Sequence, residues 1–114
     1  MIKPRDPREL AIDLLPRSIC AVQVASVVCD ASGVIISWGW NNVGPGFGIH
    51  AEAHAIRRAN QNRLWYGTIY VASLRKRNKR IVNSKPCEDC QQLINKWHLN
   101  VVYRGPEGEW WGDD

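Results

Sequence analysis

Apolar residues in this chain fall into short runs bounded by turn residues, a pattern typical of β-strands. Two β-rich runs, at residues 19–29 and 34–40, are joined by Asp30-Ala31-Ser32-Gly33, so we expect them to form a hairpin. A third run covers residues 68–74 and a fourth covers residues 101–103. The pattern therefore predicts at least four strands.

Between these runs the apolar spacing changes to that of helices. Residues 8–15 carry a helical apolar face, residues 50–62 are rich in alanine and arginine, and residues 87–97 place apolar side chains on one face. Residues 41–49, with their glycines and a proline, are predicted to be a loop. The alternation predicts an α/β fold, a three-layer sandwich whose mixed sheet of four to five strands has helices on both faces.

The C-terminal region indicates the direction of a fifth strand. Only residues 104–108 separate the fourth apolar run from Glu109-Trp110-Trp111. A parallel neighbour needs a crossover of about a dozen residues or more, whereas so short a connection permits only an antiparallel partner. The fifth strand is therefore predicted to be antiparallel to the fourth.

Length and composition limit the class of protein. The chain has 114 residues, which suits one domain over residues 1–114 and is too short for two. Its 45% hydrophobic and 23% charged residues exclude a disordered chain. No apolar run approaches the roughly 20 residues that cross a bilayer, and the first residues do not resemble a secretory signal. We expect a soluble, cytoplasmic protein that binds no membrane.

The net charge of +4 favours an anionic partner, and the excess is concentrated in one segment. Its five cations are Arg75, Lys76, Arg77, Lys79 and Arg80. They are candidate contacts for the phosphate of a nucleotide or of a nucleic-acid strand. A solvated hairpin tip that keeps a sheet edge soluble explains them equally well.

The four cysteines separate into two kinds. Cys20 and Cys29 bracket a strand, which places them roughly 30 Å apart, too far for a disulfide. Without a secretory signal they are expected to be free thiols. Cys87 and Cys90 instead form a C-x-x-C pair at a helix start, where nearby amides and the helix dipole favour thiolate.

A second helix start carries the complementary residues. His50-Ala51-Glu52 opens one predicted helix and Pro86-Cys87-Glu88-Asp89-Cys90 opens another, and together these motifs are the H-x-E and P-C-x-x-C signature of zinc deaminases that act on nucleobases. One histidine and two thiolates are three ligands for Zn²⁺, and three protein ligands leave a position open for water. Glu52 lies about 200° from His50 around a regular helix, which suits a proton shuttle better than a ligand.

From about residue 19 to residue 103 the sequence resembles the cytidine and deoxycytidylate deaminase superfamily. The resemblance implies that water activated by zinc attacks C4 of cytosine or C6 of adenine, and that Glu52 moves the protons. The segment ending in Gly39-Trp40-Asn41 resembles a family strand whose asparagine binds the sugar, so Asn41 is a candidate substrate contact. The resemblance also implies that the backbone amides of Ala51 and Cys87 polarise the substrate or orient the hydroxide. Ser84 and Pro86, which precede the cysteines, are further candidate substrate contacts.

The short C-terminal connection is similar to that of the branch acting on free cytidine, and we therefore expect conversion of cytosine to uracil in a nucleoside or nucleotide. Two alternatives stay open. The basic segment and the six tryptophans suit a cytosine or adenine deaminase of single-stranded DNA or RNA. A catalytically silent, zinc-stabilised binding module is the other. The resemblance also implies a homo-oligomer.

His54 lies one helical turn after His50, as in the H-E-x-x-H zinc-binding pattern of metalloproteases. That pattern requires glutamate where this chain has Ala51, so His54 is expected to be a packed helix residue.

Overall fold

The computed structural model describes residues 5–43 and 48–112 and contains three α-helices within them. The helices are α1 (Pro7–Leu14), α2 (Ala51–Arg58) and α3 (Glu88–Lys96), with 3-10 turns at Leu15–Arg17 and Gln61–Arg63. The strands are β1 (Val22–Cys29), β2 (Ile35–Trp40), β3 (Asn42–Val43), β4 (Gly48–Ile49), β5 (Thr68–Arg75), β6 (Arg80–Ile81), β7 (Asn100–Arg104) and β8 (Trp110–Gly112). None of the helices in this described part of the chain is long and apolar enough to cross a membrane.

The main sheet is mixed, which confirms the predicted α/β class. Its strands follow the order β2-β1-β5-β7-β8, and β6 pairs with β5 outside this path. β1 is antiparallel to β2 and to β5, β5 is parallel to β7, and β8 is antiparallel to β7. The direction predicted for the last strand from its short connection is therefore confirmed.

Two short pairings go beyond the predicted strands, although a hairpin at the basic segment was one interpretation of its charge. β6 adds a sixth strand to an expected four or five, and it pairs only at Leu74 with Ile81 and at Arg75 with Arg80. The predicted loop at 41–49 also contains the small β3–β4 pair. Both pairs are two residues long, too short for the alternation of apolar and polar positions that marks a strand in sequence.

Helices cover both faces of the sheet, as predicted. On one face, α1 packs over β1 and β5 through a cluster of Ala11, Leu14, Leu15, Ala25, Val27 and Ala72. On the other face, α2 and α3 pack over a second cluster of Val28, Ala55, Ile56, Ala59, Leu64, Ile69, Val71, Ile94, Trp97 and Leu99. Neighbouring residues of a strand point to opposite faces, so β1 and β5 supply both clusters and form the centre of the core.

The second helix is shorter than predicted. It ends at Arg58 instead of residue 62, and Ala59 has an extended backbone. The Asn60 side chain accepts a hydrogen bond from the Asn62 N–H at 3.0 Å and caps the following 3-10 turn. Asparagine competes with the helix for backbone groups in this way, which explains why the alanine-rich pattern extends beyond the helix itself.

The two cysteines of β1 and its approach are free, as predicted. Cys29 is buried at the end of β1, and burial raises the pKa of its thiol to about 11, with a smaller contribution from Asp30. Cys20 lies just before the strand. A buried thiol with so high a pKa is inert, so Cys29 acts as a small core residue.

Candidate zinc centre and active site

Helix α2 lies directly on strand β2. A Cβ atom added to Gly39 would lie only 2.7 Å from the Ala55 nitrogen and 2.8 Å from the His54 Cβ, so this contact requires glycine. The Ser37 hydroxyl also donates a 2.6 Å hydrogen bond to the Ala55 carbonyl. Because both contacts are short, they fix the position of α2 on the sheet and with it the position of His50.

His50 and Cys87 both occupy the N-cap position of a helix. His50 precedes α2 with extended backbone angles, Cys87 precedes α3 in the same way, and neither side chain caps its own helix. An N-cap side chain lies beyond the helix end, so each can face a ligand placed between the two helix starts. His50 is therefore not helical, and the expected angle of about 200° between it and Glu52 does not apply.

The predicted metal ligands lie together. The ligand atoms of His50, Cys87 and Cys90 all lie within 4.8 Å of one another. The His50 Nδ1 atom is 3.2 Å from the Cys90 Sγ atom and 3.5 Å from the Cys87 Sγ atom. Tetrahedral zinc bonds of ordinary length would hold a nitrogen and a sulfur about 3.6 Å apart. The donor set and its spacing therefore fit Zn²⁺, which confirms the predicted cofactor.

Glu52 lies beside this group and is only 5% exposed. Burial raises the pKa of its carboxyl above the usual range, and a backbone hydrogen bond, His50 and Cys90 oppose that effect. Burial, and next the Glu52 carboxylate, raise the pKa of the Cys90 thiol as well. Acidic groups crowded in this way are stabilised in their ionised forms by a bound cation.

A cavity of about 230 Å³ opens beside the metal ligands. Its lining contains Val22, Val24, Asn41, His50, Ala51, Glu52, Ser73, Val82, Asn83, Ser84, Lys85 and Cys87. The predicted contacts Asn41, Ala51 and Ser84 are thus at this cavity, whereas Pro86 is buried and is not part of its lining. We refer to this cavity as the zinc pocket.

Several residues that line the zinc pocket were missed by sequence reasoning. Val24 and Ser73 face each other across the β1–β5 ladder, so only the strand register brings them to the site. Asn83 and Lys85 come from the irregular segment before α3. That segment is attached to β7 by a 3.1 Å hydrogen bond from the Ser84 N–H to the Arg104 carbonyl. The polar residues just before P-C-x-x-C were the one signal in the sequence that this segment lines the pocket.

Asn41 has a structural role in addition to its place at the pocket. Its Oδ1 atom accepts hydrogen bonds from the Ser18 hydroxyl at 2.5 Å and from the Val24 N–H at 2.9 Å. Its Nδ2 atom donates to the Val22 carbonyl at 2.8 Å. An amide group has two donor hydrogens and two acceptor lone pairs, so one N–H of Asn41 is left for a ligand.

The five predicted phosphate contacts lie on the β5–β6 hairpin and are exposed. They are outside the lining of the zinc pocket. Three of them, Arg75, Lys76 and Arg77, line an adjoining open groove with Ala21 and Val22. The structure therefore places this group next to the site but not in it.

His54 lies one turn after His50 but does not join the metal group. Its Nδ1 atom is 3.3 Å from the Trp40 nitrogen and 3.2 Å from the Trp40 oxygen. The two rings also meet edge to face, with their centres 5.2 Å apart. His54 is thus a packed residue, as predicted.

Comparison with solved structures shows a shared fold. Cytidine deaminase from Burkholderia pseudomallei is 18% identical, with a TM-score of 0.73 over 95% of this chain and 89% of that one. Cytidine deaminase from Mycobacterium leprae is also 18% identical, with a TM-score of 0.61 over 92% and 88%. Cytidine deaminase from Mycobacterium tuberculosis is 16% identical, with a TM-score of 0.57 over 82% and 79%.

Sequence comparison identifies the family. No curated protein sequence matches the chain. The profile of the family described as "Cytidine and deoxycytidylate deaminase zinc-binding region", however, matches residues 8–105, which include all three candidate metal ligands and Glu52. The chain therefore belongs to the cytidine and deoxycytidylate deaminase zinc-binding family and is a zinc-dependent, cytidine-type deaminase.

Proposed function

We propose that the protein hydrolyses the amino group of cytosine in a nucleoside or nucleotide and releases uracil-containing product and ammonia. The observation that carries this proposal is the buried Glu52 carboxyl, which lines the zinc pocket next to three zinc ligands that leave one position open. A purely structural zinc site has no need of a carboxyl buried beside the metal.

The protein's own groups can supply the proton transfers of this reaction. A zinc ion held by His50, Cys87 and Cys90 would lower the pKa of a water molecule and so supply a nucleophile near neutral pH. As the water oxygen bonds to C4 of cytosine, the Glu52 carboxylate takes one proton of that water and delivers it to the ring nitrogen N3. The second proton of the water passes to the amino group as the C4–N bond breaks, so that cytosine and water give uracil and ammonia. Glu52 suits this role because it reaches the pocket from the first turn of α2.

Two groups at the zinc pocket are suited to hold the substrate. The remaining N–H of Asn41 can donate to a sugar hydroxyl, and the hydrogen bonds of that side chain to β1 hold it still. The N–H of Ala51 belongs to the first turn of α2, where helix amides have no partner within the helix. A pocket of about 230 Å³ favours a single base with its sugar over a larger ligand.

The experiment is a substrate panel followed by ammonia release. Purified zinc-loaded protein is incubated with cytidine, deoxycytidine, their monophosphates, adenosine and a single-stranded oligonucleotide. We expect cytosine compounds to be deaminated and adenosine to be left intact. Deamination of adenosine alone, or of none of the panel, would contradict the proposal.

Replacing the proposed proton carrier should remove turnover without removing the metal. Glu52→Gln should lower kcat by at least about 100-fold, since positioned acid–base groups contribute on that scale. The control is Glu9→Gln, which makes the same change at an exposed position of α1. Zinc content measured on both variants should equal that of the unmodified protein. Near-normal activity of Glu52→Gln would overturn the mechanism.

The sequence is also compatible with two other functions. A silent binding module would bind the same base without releasing ammonia, and the panel separates it from an enzyme. A deaminase of single-stranded nucleic acid is favoured by one observation, the exposed cations Arg75, Lys76 and Arg77 at the groove beside the zinc pocket. Cytoplasmic location and assembly into a homo-oligomer stay predictions.

A further inference from the structure

The β5–β6 hairpin has a concentration of positive charge. Five of the six residues at 75–80 are cationic and all are exposed. Within the described residues, none of these cations forms an ion pair with a carboxylate. A positively charged surface with no counter-charge of its own attracts anions.

The strand register places Arg75, the first cation of the hairpin, at the edge of the zinc pocket. Ser73 lines the pocket, and Arg75 points to the same face of β5 because side chains alternate. Two residues along a strand span about 7 Å. On the neighbouring strand, Val24 lies opposite Ser73 and Val22 lies opposite Arg75. The first cation of the hairpin is therefore one pleat beyond the pocket.

A groove lies beside the zinc pocket, next to these cations. Ala21, Val22 and residues 75–77 line it, and its volume is about 550 Å³. Val22 lines both cavities, so the two are neighbours. The Lys76 N–H donates a 2.9 Å hydrogen bond to the Ala21 carbonyl and holds the base of the hairpin beside β1. Lys85, exposed at the lining of the zinc pocket, adds a further cation.

We propose that Arg75, Lys76 and Arg77, the exposed cations that border this mainly apolar groove, bind a phosphate of the substrate whose cytosine occupies the zinc pocket. The substrate is then a phosphorylated cytosine compound, and a free nucleoside is a poor one. This rests on the proposed function. The zinc pocket holds one base with its sugar, and a phosphate on that sugar extends out of the pocket toward Arg75. An arginine guanidinium group can donate two parallel hydrogen bonds to two oxygens of one phosphate.

The test compares kcat/KM for cytidine with that for its 5′-monophosphate, and deoxycytidine with deoxycytidylate and a short single-stranded oligonucleotide. At low salt, the phosphorylated compounds should exceed the nucleosides by about tenfold, the scale of two exposed charge pairs. The advantage should shrink as salt rises, because screening weakens exposed charges. A monophosphate equal to the oligonucleotide indicates one bound phosphate, and a higher value for the oligonucleotide indicates a strand. Nucleosides that react as well as nucleotides would overturn the proposal.

A double variant assigns the effect to the groove. Arg75→Gln with Arg77→Gln should abolish the preference for phosphate, measured as the ratio of kcat/KM for the nucleotide to kcat/KM for the nucleoside. The control, Arg57→Gln with Lys96→Gln, removes the same charge at the far ends of α2 and α3 and should keep the preference. Retention of the preference in the groove variant would contradict the assignment.

Direct binding separates this proposal from the proposed function. Calorimetry with cytidine 5′-monophosphate and with cytidine measures the phosphate contribution even if no compound is deaminated. A tighter monophosphate in the unmodified protein, and equal affinities in the groove variant, support the subsite alone. Equal affinities in the unmodified protein would refute it whatever the activity.

Discussion

The two helix starts that supply the zinc ligands are held in different ways. At α2, Gly39 and Ser37 contact the helix directly, and both Ala51 and Glu52 are buried. At α3, the N-cap residue Cys87 and the first two helical residues are exposed, and the preceding segment has no regular structure. Contacts with the sheet thus fix the half of the site that contains His50.

This difference indicates where the metal contributes to stability. Packing fixes the position of α2 whether or not zinc is bound, because the contacts with β2 do not involve the ligands. The start of α3 is held by the buried Cys90 and by the Ser84 to Arg104 hydrogen bond. A zinc ion bound by His50, Cys87 and Cys90 would therefore join a rigid half of the site to a less constrained half.

Removal of zinc should give the largest effect and should act mainly on α3. With free zinc at roughly 1,000 times its dissociation constant, chelation should lower the free energy of unfolding by about 4 kcal/mol. The first hydrogen bonds of the two helices, from the His54 N–H to the His50 carbonyl and from the Gln91 N–H to the Cys87 carbonyl, are a matched pair of probes. Hydrogen exchange should rise more at Gln91 than at His54.

Equal loss of protection at the two amides would contradict this comparison. The Cys90→Ala variant should reproduce the effect of chelation, and added zinc should not restore its stability. Metal analysis should find less than one zinc per chain in that variant.

The next largest effect should come from Gly39→Ala, which pushes α2 from its place on β2. The added methyl would meet backbone atoms of Ala51 and Ala55, which cannot move independently, so we expect a loss of about 1 to 3 kcal/mol. Denaturant unfolding measures it. In the control, Gly105→Ala, the three atoms nearest to the new methyl all belong to the side chain of Glu109, which can rotate away. The control should therefore lose less than Gly39→Ala, and the reverse order would show that α2 is not held by close packing.

Ser37→Ala should have the smallest effect of the three. The Ala59 N–H bonds to the Ile56 carbonyl, so the Ala55 carbonyl at the helix end depends on the Ser37 hydroxyl. Loss of this buried hydrogen bond should cost about 1 to 2 kcal/mol. Ser32→Ala, at an exposed turn position, should change stability by less than about 0.5 kcal/mol. A Ser37→Ala variant as stable as the Ser32→Ala control would show that this hydrogen bond does not help to hold α2 on the sheet.

Much of the site could be predicted because its chemistry demands particular residue types at short spacing. His50 and Glu52 are two positions apart, and Cys87 and Cys90 are three apart, so each half is visible in the sequence. The antiparallel direction of β8 also followed from a local property, the length of one connection. Predictions of this kind depend on neighbouring residues and on little else.

The remaining features depend on pairings between distant residues. Nothing near Asn41 in the sequence indicates that its amide holds the first residues of β1, or that one N–H is left over for a ligand. The extra strand β6 likewise has no apolar pattern of its own. Such contacts follow from strand register, which the turn and the packing of the whole sheet set together.

The sequence by itself determined the α/β class, the zinc cofactor, the candidate zinc ligands and the candidate proton carrier, because these follow from local periodicity and from ligand chemistry. Only the tertiary structure decided which atoms meet. It placed both His50 and Cys87 at N-caps, so that their side chains face each other across two helix ends. It also placed Arg75 one pleat beyond Ser73, because the β1–β5 register aligns the edge of the pocket with the base of the basic hairpin.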